Sequence, residues 1–120
     1  MPATRELVHE AWSEYLEAVS KELFNAQVSI KINSALGPPA IQADSLALQA
    51  LTYDHRDDVF EVAAARGGPR PPSVLRHLVD HPARIEVDSY TLLAPMTIAV
   101  DGQDGGRTVI SIEREPEPAS

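Results

Sequence analysis

Val8, Trp12, Tyr15, Leu16, Val19 and Leu23 recur three or four positions apart, with Glu10, Glu14, Glu17 and Lys21 between them. That spacing predicts an amphipathic helix over residues 8–24. Thr4 suits its N-cap, Arg5 and Glu6 suit a first turn, and Asn25 is a stop signal. Val28, Ile30 and Ile32 then alternate with Ser29, Lys31 and Asn33, the period of a strand with one wet face. Residues 34–44 carry Gly37, Pro38 and Pro39 and read as a loop, because two prolines remove two ladder donors in succession. Residues 46–53 are apolar on both faces, which predicts a buried central strand with a short helix as the alternative.

The polar run from Asp54 to Asp58 separates that strand from Val59 to Ala64, where Phe60 and Val62 alternate with Glu61, so the two read as a β-hairpin. Residues 66–72 form a Gly/Pro loop. Ser73 can cap a short second helix with Val74, Leu75, Leu78 and Val79 as its buried stripe, ended by Pro82. Strands follow over residues 84–88, 97–100 and 108–114, with a Gly-rich hairpin turn at 101–106. The expectation is an α+β fold: helix, three strands, helix, three strands, in a mainly antiparallel sheet with both helices packed on one face. Residues 1–114 read as a single domain and residues 115–120 as a flexible acidic tail.

With 43% hydrophobic and 23% charged residues over 120 positions, the chain has the balance of a globular domain with one core. The absence of cysteine removes thiol nucleophiles, Cys-ligated zinc, iron–sulfur clusters and disulfides. Charged residues interrupt the N-terminal segment, so neither a signal peptide nor a membrane span is expected, and a cytoplasmic location follows as the default. A net charge of −8 repels phosphate backbones and argues against a nucleic-acid partner. Only the stretch holding Arg66, Arg70, Arg76 and Arg84 is locally basic.

The run Leu51-Thr52-Tyr53-Asp54-His55-Arg56-Asp57-Asp58-Val59-Phe60-Glu61-Val62, then Leu75-Arg76-His77-Leu78, then Pro82-Ala83-Arg84-Ile85-Glu86-Val87, resembles a bacterial family known as domain of unknown function 5335. The leading helix with Trp12, Tyr15 and Leu16 is similar too. The resemblance implies a cytoplasmic bacterial domain and transfers no catalytic residue.

His77 and His81 stand four apart on the second predicted helix, a spacing that lets two imidazoles reach one metal. Leu78 stands where a zincin needs its glutamate, and His81 precedes a proline. A favourable interaction with the helix C-terminus therefore explains the pair more simply. Asp54, Asp57 and Asp58 with His55 can form a cation site or an acid–base pair, yet turn chemistry accounts for them as it does for Asp101 and Asp104. Arg66-Gly67-Gly68-Pro69-Arg70-Pro71-Pro72 matches a polyproline ligand pattern, for which a loop connector is the plainer reading. Trp12 and Tyr15 read as core aromatics rather than a ligand platform. Phosphate-binding glycine loops and a nucleophile elbow do not occur.

Arg66, Arg70 and Arg76, near a predicted helix N-terminus, form the candidate surface for a partner or anion. No catalytic residue, cofactor or metal site is assigned. The expected function is a non-catalytic protein-interaction or regulatory module that binds a protein partner or its own copies. The alternative is a small metal-assisted or acid–base enzyme using His55 or His77/His81 with nearby Asp.

Overall fold

The computed structural model describes residues 5–33, 40–66, 73–88 and 96–113. A short strand β1 (Arg5–Glu6) leads through a 3-10 turn (His9–Ala11) into helix α1 (Trp12–Glu22). Seven strands follow: β2 (Gln27–Asn33), β3 (Ala40–Asp54), β4 (Val59–Arg66), β5 (Ser73–Asp80), β6 (Pro82–Val87), β7 (Met96–Gly102) and β8 (Arg107–Glu113). They form one antiparallel sheet in the order β1-β6-β7-β8-β2-β3-β4-β5.

This corrects the expected α+β arrangement. Residues 73–80, read as a second helix, are strand β5, paired with β4 from Val59↔Asp80 to Arg66↔Ser73 without a break. Val74, Leu75, Leu78 and Val79 follow the helical period, and as a strand they divide two to each face. The strand wins because it supplies β4 with a ladder partner. At period two, Leu75, His77 and Val79 turn inward while Val74, Arg76, Leu78 and Asp80 face solvent. Among the described residues the sheet therefore carries one α-helix, not two. Arg5 and Glu6, expected in that helix's first turn, instead pair with Val87 and Glu86 of β6. Thr4, residues 34–39 with Pro38 and Pro39, residues 67–72 with Arg70, and residues 115–120 lie outside the described residues. Residues 40–44, read as loop, belong to β3.

The sheet is rolled, and the chain connection requires it. β5 and β6 stand six strand spacings apart in the sheet order, about 29 Å if the sheet were flat. A single residue, His81, joins them, spanning at most about 7 Å between its neighbours. Its φ of 53° places it in the left-handed region and turns the chain sharply. At this seam Gln103 N–H donates to His81 O at 3.1 Å, and His77 on β5 meets Thr108 on β8 at 3.1 Å.

Inward-facing residues of every strand from β2 to β8 and the apolar stripe of α1 share one core, with Phe60, Leu16, Ile30, Leu48 and Ile98 fully enclosed. The buried positions of β3 change parity, from Leu46 and Leu48 to Leu51 and Tyr53, because the register with β4 slips between Leu48 and Ala50. This bulge at Gln49 is why residues 46–53 look apolar on both faces when only one is buried.

Helix α1 also completes the sheet's hydrogen bonding. β3 outruns β2, whose pairing ends at Gln27↔Ala47, so the next stretch of β3 has backbone groups with no strand beside them. Ser20 takes that place: its hydroxyl accepts from Leu51 N–H at 2.7 Å and donates toward Leu51 O at 2.9 Å, sharing its proton with Leu16 O. Ser13, seven residues earlier on the same helix face, donates to Tyr53 O at 3.1 Å. At the other end Trp12 Nε1–H donates to Leu7 O at 3.1 Å, while Leu7 N–H donates to Ile85 O on β6. The helix is thus tied to both wings of the rolled sheet. It ends at Glu22, and the turn that follows reverses at Asn25, where φ is 69°. No described helix is long and apolar enough to cross a membrane.

Candidate functional site

The seam leaves a groove of about 250 Å³. One wall is the consecutive run His77 to Asp80 of β5; the other is built from Asn33 at the end of β2, Thr108 at the start of β8, and Gly102 and Asp104 beside the β7–β8 turn. Four consecutive residues of β5 line it, so it runs along the strand's edge rather than beneath one face. β5 is the last strand in the sheet order and has a ladder neighbour, β4, on one side. Its outer face exposes Val74 (55%) and Leu78 (53%), large apolar side chains on an edge that no described strand pairs.

At the floor of the groove Thr108 is 4% exposed, a polar residue on a core face otherwise made of apolar side chains. Its hydroxyl is bonded to Nε2 of half-buried His77, and burial holds that imidazole's pKa below its ordinary value, so the ring is neutral near pH 7. Asp104 shapes the adjacent turn by accepting from Gly106 N–H at 2.9 Å, the Asx chemistry expected of it. A Cβ at Gly102 would lie 2.9 Å from Asp104 Oδ1, so the turn needs glycine there for its carboxylate to fold back.

A second polar constellation clips the seam from outside. Tyr53 O–H donates to Asp58 Oδ1 at 2.6 Å, His81 Nδ1–H donates to Asp58 Oδ2 at 3.1 Å, and His81 N–H donates to Asp58 O at 2.8 Å. Because the tyrosine proton is committed to Asp58, His9 Nε2–H is the donor in its 3.2 Å bond to Tyr53 Oη. The Trp12 ring lies tilted at 54° against His9, centroids 4.3 Å apart, and meets Tyr53 edge-on at 5.0 Å. Asp58, like His81, sits at positive φ, 54°, a backbone cost of about 1–3 kcal/mol at each residue that these bonds offset.

The electrostatics of this string oppose acid–base work. Burial and the bond to Asp58 push the Tyr53 hydroxyl up to about 12. The bonds from Tyr53 and His81 hold the Asp58 carboxyl below the usual carboxylate range. Both shifts lead away from neutrality, whereas a general acid or base is tuned toward it. The string is a clasp.

Its linkage gives a pH test. The Tyr53 pKa is raised on folding, so its contribution is complete below the ordinary value of 10.0 and is lost as pH rises through about 12. The Asp58 pKa is lowered, so its contribution is complete above 3.8 and is lost as pH falls through the folded value. In thermal melts the stability gap between the parent and Tyr53→Phe should close between pH 10 and 12, and a gap constant over that range would contradict the clasp.

A third cluster lies on the outer face of β6, β7 and β8. Arg84 Nη2 and Arg107 Nε reach opposite oxygens of Asp101 at 3.0 and 2.7 Å, and Arg107 also bonds Glu86. The bonds from Arg107 and Arg84 hold Asp101 below the usual carboxylate range. Two cations here neutralise two anions across three strands. Among the described residues no three His, Asp or Glu side chains come together as a metal site.

A family model matches residues 3–119, which takes in every strand and both walls of the seam groove. The chain belongs to the family of unknown function DUF5335. An uncharacterized protein of Aquifex aeolicus (strain VF5) is 27% identical over 111 residues, covering 92% of this chain and 93% of its own length. No solved structure matches.

Within this DUF5335 chain the sequence-predicted site residues disperse. His77 and His81 share no helix: one faces Thr108 across the seam, the other joins Asp58. His55 is exposed in the β3–β4 turn, where Asp54 Oδ1 accepts from Arg56 N–H at 2.9 Å and from Asp57 N–H at 3.4 Å. Asp101, read as a turn residue, is the centre of the ion network. Arg66 pairs with Ser73 and Arg76 with Ala63, three residues apart along β4, so alternation puts the two arginines on opposite faces of the sheet. The helix N-terminus expected beside them is strand. Arg76 stands between Val74 and Leu78 on the exposed face, 4.0 Å from Glu61. Thr108, Tyr53 and Ser20 gave no sequence signal, since each occupies an ordinary strand or helix position and its partner is 31, 5 and 31 residues away.

Proposed function

We propose that this chain is a non-catalytic module that receives an extended polypeptide segment along the free edge of β5. The observation that carries the reading is an edge strand with large exposed apolar side chains on its outer face and a groove along its open side. Natural sheets blunt such edges unless they are used, and strand addition supplies affinity through main-chain bonds and selectivity through alternate side chains. Arg76 lies within the same outer face, the part of the arginine surface that this reading retains. The proposal includes a cytoplasmic setting and no nucleic-acid role, in keeping with the net charge of −8.

The test is a pair of edge-blunting substitutions, Val74→Lys and Leu78→Lys, at exposed positions where folding tolerates charge. Proteins captured from the host by the parent chain should be lost by the double variant while its melting temperature is retained. Unchanged capture by a folded double variant would sink the proposal.

A further inference from the structure

The groove along β5 carries charge of one sign. We infer that the segment it receives projects a basic side chain, a guanidinium or ammonium group, into the seam beside His77. This rests on the edge-strand reading above and names the chemistry of the partner. Among the described residues lining the groove, Asp80 on β5 and Asp104 at the β7–β8 turn are the acidic ones, and none is Lys or Arg. The floor is polar as well: the buried Thr108 hydroxyl and the neutral His77 ring occupy positions where an apolar pair would pack without desolvation cost. The single bond between them leaves the hydroxyl with acceptor capacity and uses one of the two ring nitrogens.

A strand added at the β5 edge turns alternate side chains toward the outer face, beside Val74 and Leu78, and the others into the groove. An acidic side chain entering there meets two carboxylates. An apolar one buries polar groups without replacing their bonds. A guanidinium or ammonium can form a charge-assisted bond with a carboxylate at the groove, and the negative field of the whole chain favours its approach.

The experiment selects randomised extended peptides of about eight residues on the full chain and locates each binder by backbone amide shifts. Binders that perturb β5 should carry Arg or Lys at one shared position, and changing that residue to Gln should weaken binding about tenfold, or about 1.4 kcal/mol. In the Asp80→Asn/Asp104→Asn variant, which keeps side-chain shape and the turn bond to Gly106, the same change should have no effect. β5 binders without a basic preference overturn the inference and leave the edge reading standing. A preference that survives the double Asn variant also overturns the inference. A library without β5 binders overturns both readings. A free alkylguanidine that binds as tightly as the peptides assigns the groove to a small amine and overturns the peptide partner.

Discussion

Replacing Leu16 with alanine is expected to cost about 2–5 kcal/mol, a large part of the stability of a domain this size. Leu16 is fully enclosed on the buried stripe of α1, between Trp12 and Val19, and the helix lies against β3. Because α1 is the one α-helix covering the rolled sheet among the described residues, no second described helix can shift to fill the void, and the higher part of the range is expected. Leu16→Met, which nearly conserves volume, should cost less than about 1.5 kcal/mol. Glu17→Ala should stay within about 0.5 kcal/mol, since its 3.3 Å pair with Lys21 is exposed on both sides. Urea unfolding of the three variants measures all of this, and a Leu16→Ala cost below that of Leu16→Met would remove the helix from the core.

Ser20→Ala is expected to have the second largest effect, although serine is a small half-buried residue in mid-helix, where alanine has the better intrinsic propensity. The substitution strips two partners at once, leaving Leu51 N–H and C=O facing the helix without a bond. Each unsatisfied backbone group costs about 1–3 kcal/mol, against a propensity gain of a few tenths. Ser20→Thr keeps the hydroxyl and should recover much of the loss. Hydrogen exchange distinguishes this mechanism from a general loss of packing, because the Leu51 amide should become one of the faster-exchanging sites of β3 in the alanine variant. If alanine stabilises the protein, the helix plays no part in completing the sheet.

Much of the fold was legible where one face is buried and the other wet. The helix stripe from Trp12 to Val19, the alternation of Val28, Ile30 and Ile32, and the Asp-initiated turns at Asp54 and Asp104 all appear as the residues imply. Legibility failed at three kinds of place. Residues 73–80 space their apolar side chains as a helix would, and their ladder with β4 overrides that period, leaving Val74 and Leu78 exposed. The Gln49 bulge shifts parity inside β3, so its alternation cancels when read as one run. The groove is assembled from β2, β5, β7 and β8, and no local window contains the His77–Thr108 pair or the approach of His81 to Asp58. The arginine surface was a judgement from sequence proximity, and strand pleating separates Arg66 from Arg76.

The strand order carries one more consequence. β8 is the last described strand to be synthesised, yet it lies between β7 and β2, bonded along Gln27↔Glu113 to Asn33↔Arg107 on one side and to β7 on the other. Until β8 has emerged, the described strands fall into two ribbons, β1-β6-β7 and β2 through β5, each with an open border. Such a topology postpones cooperative closure until β8 has emerged, makes folding slow relative to helical chains of equal length, and concentrates the hazard of misassembly in the interval before the bridging strand arrives.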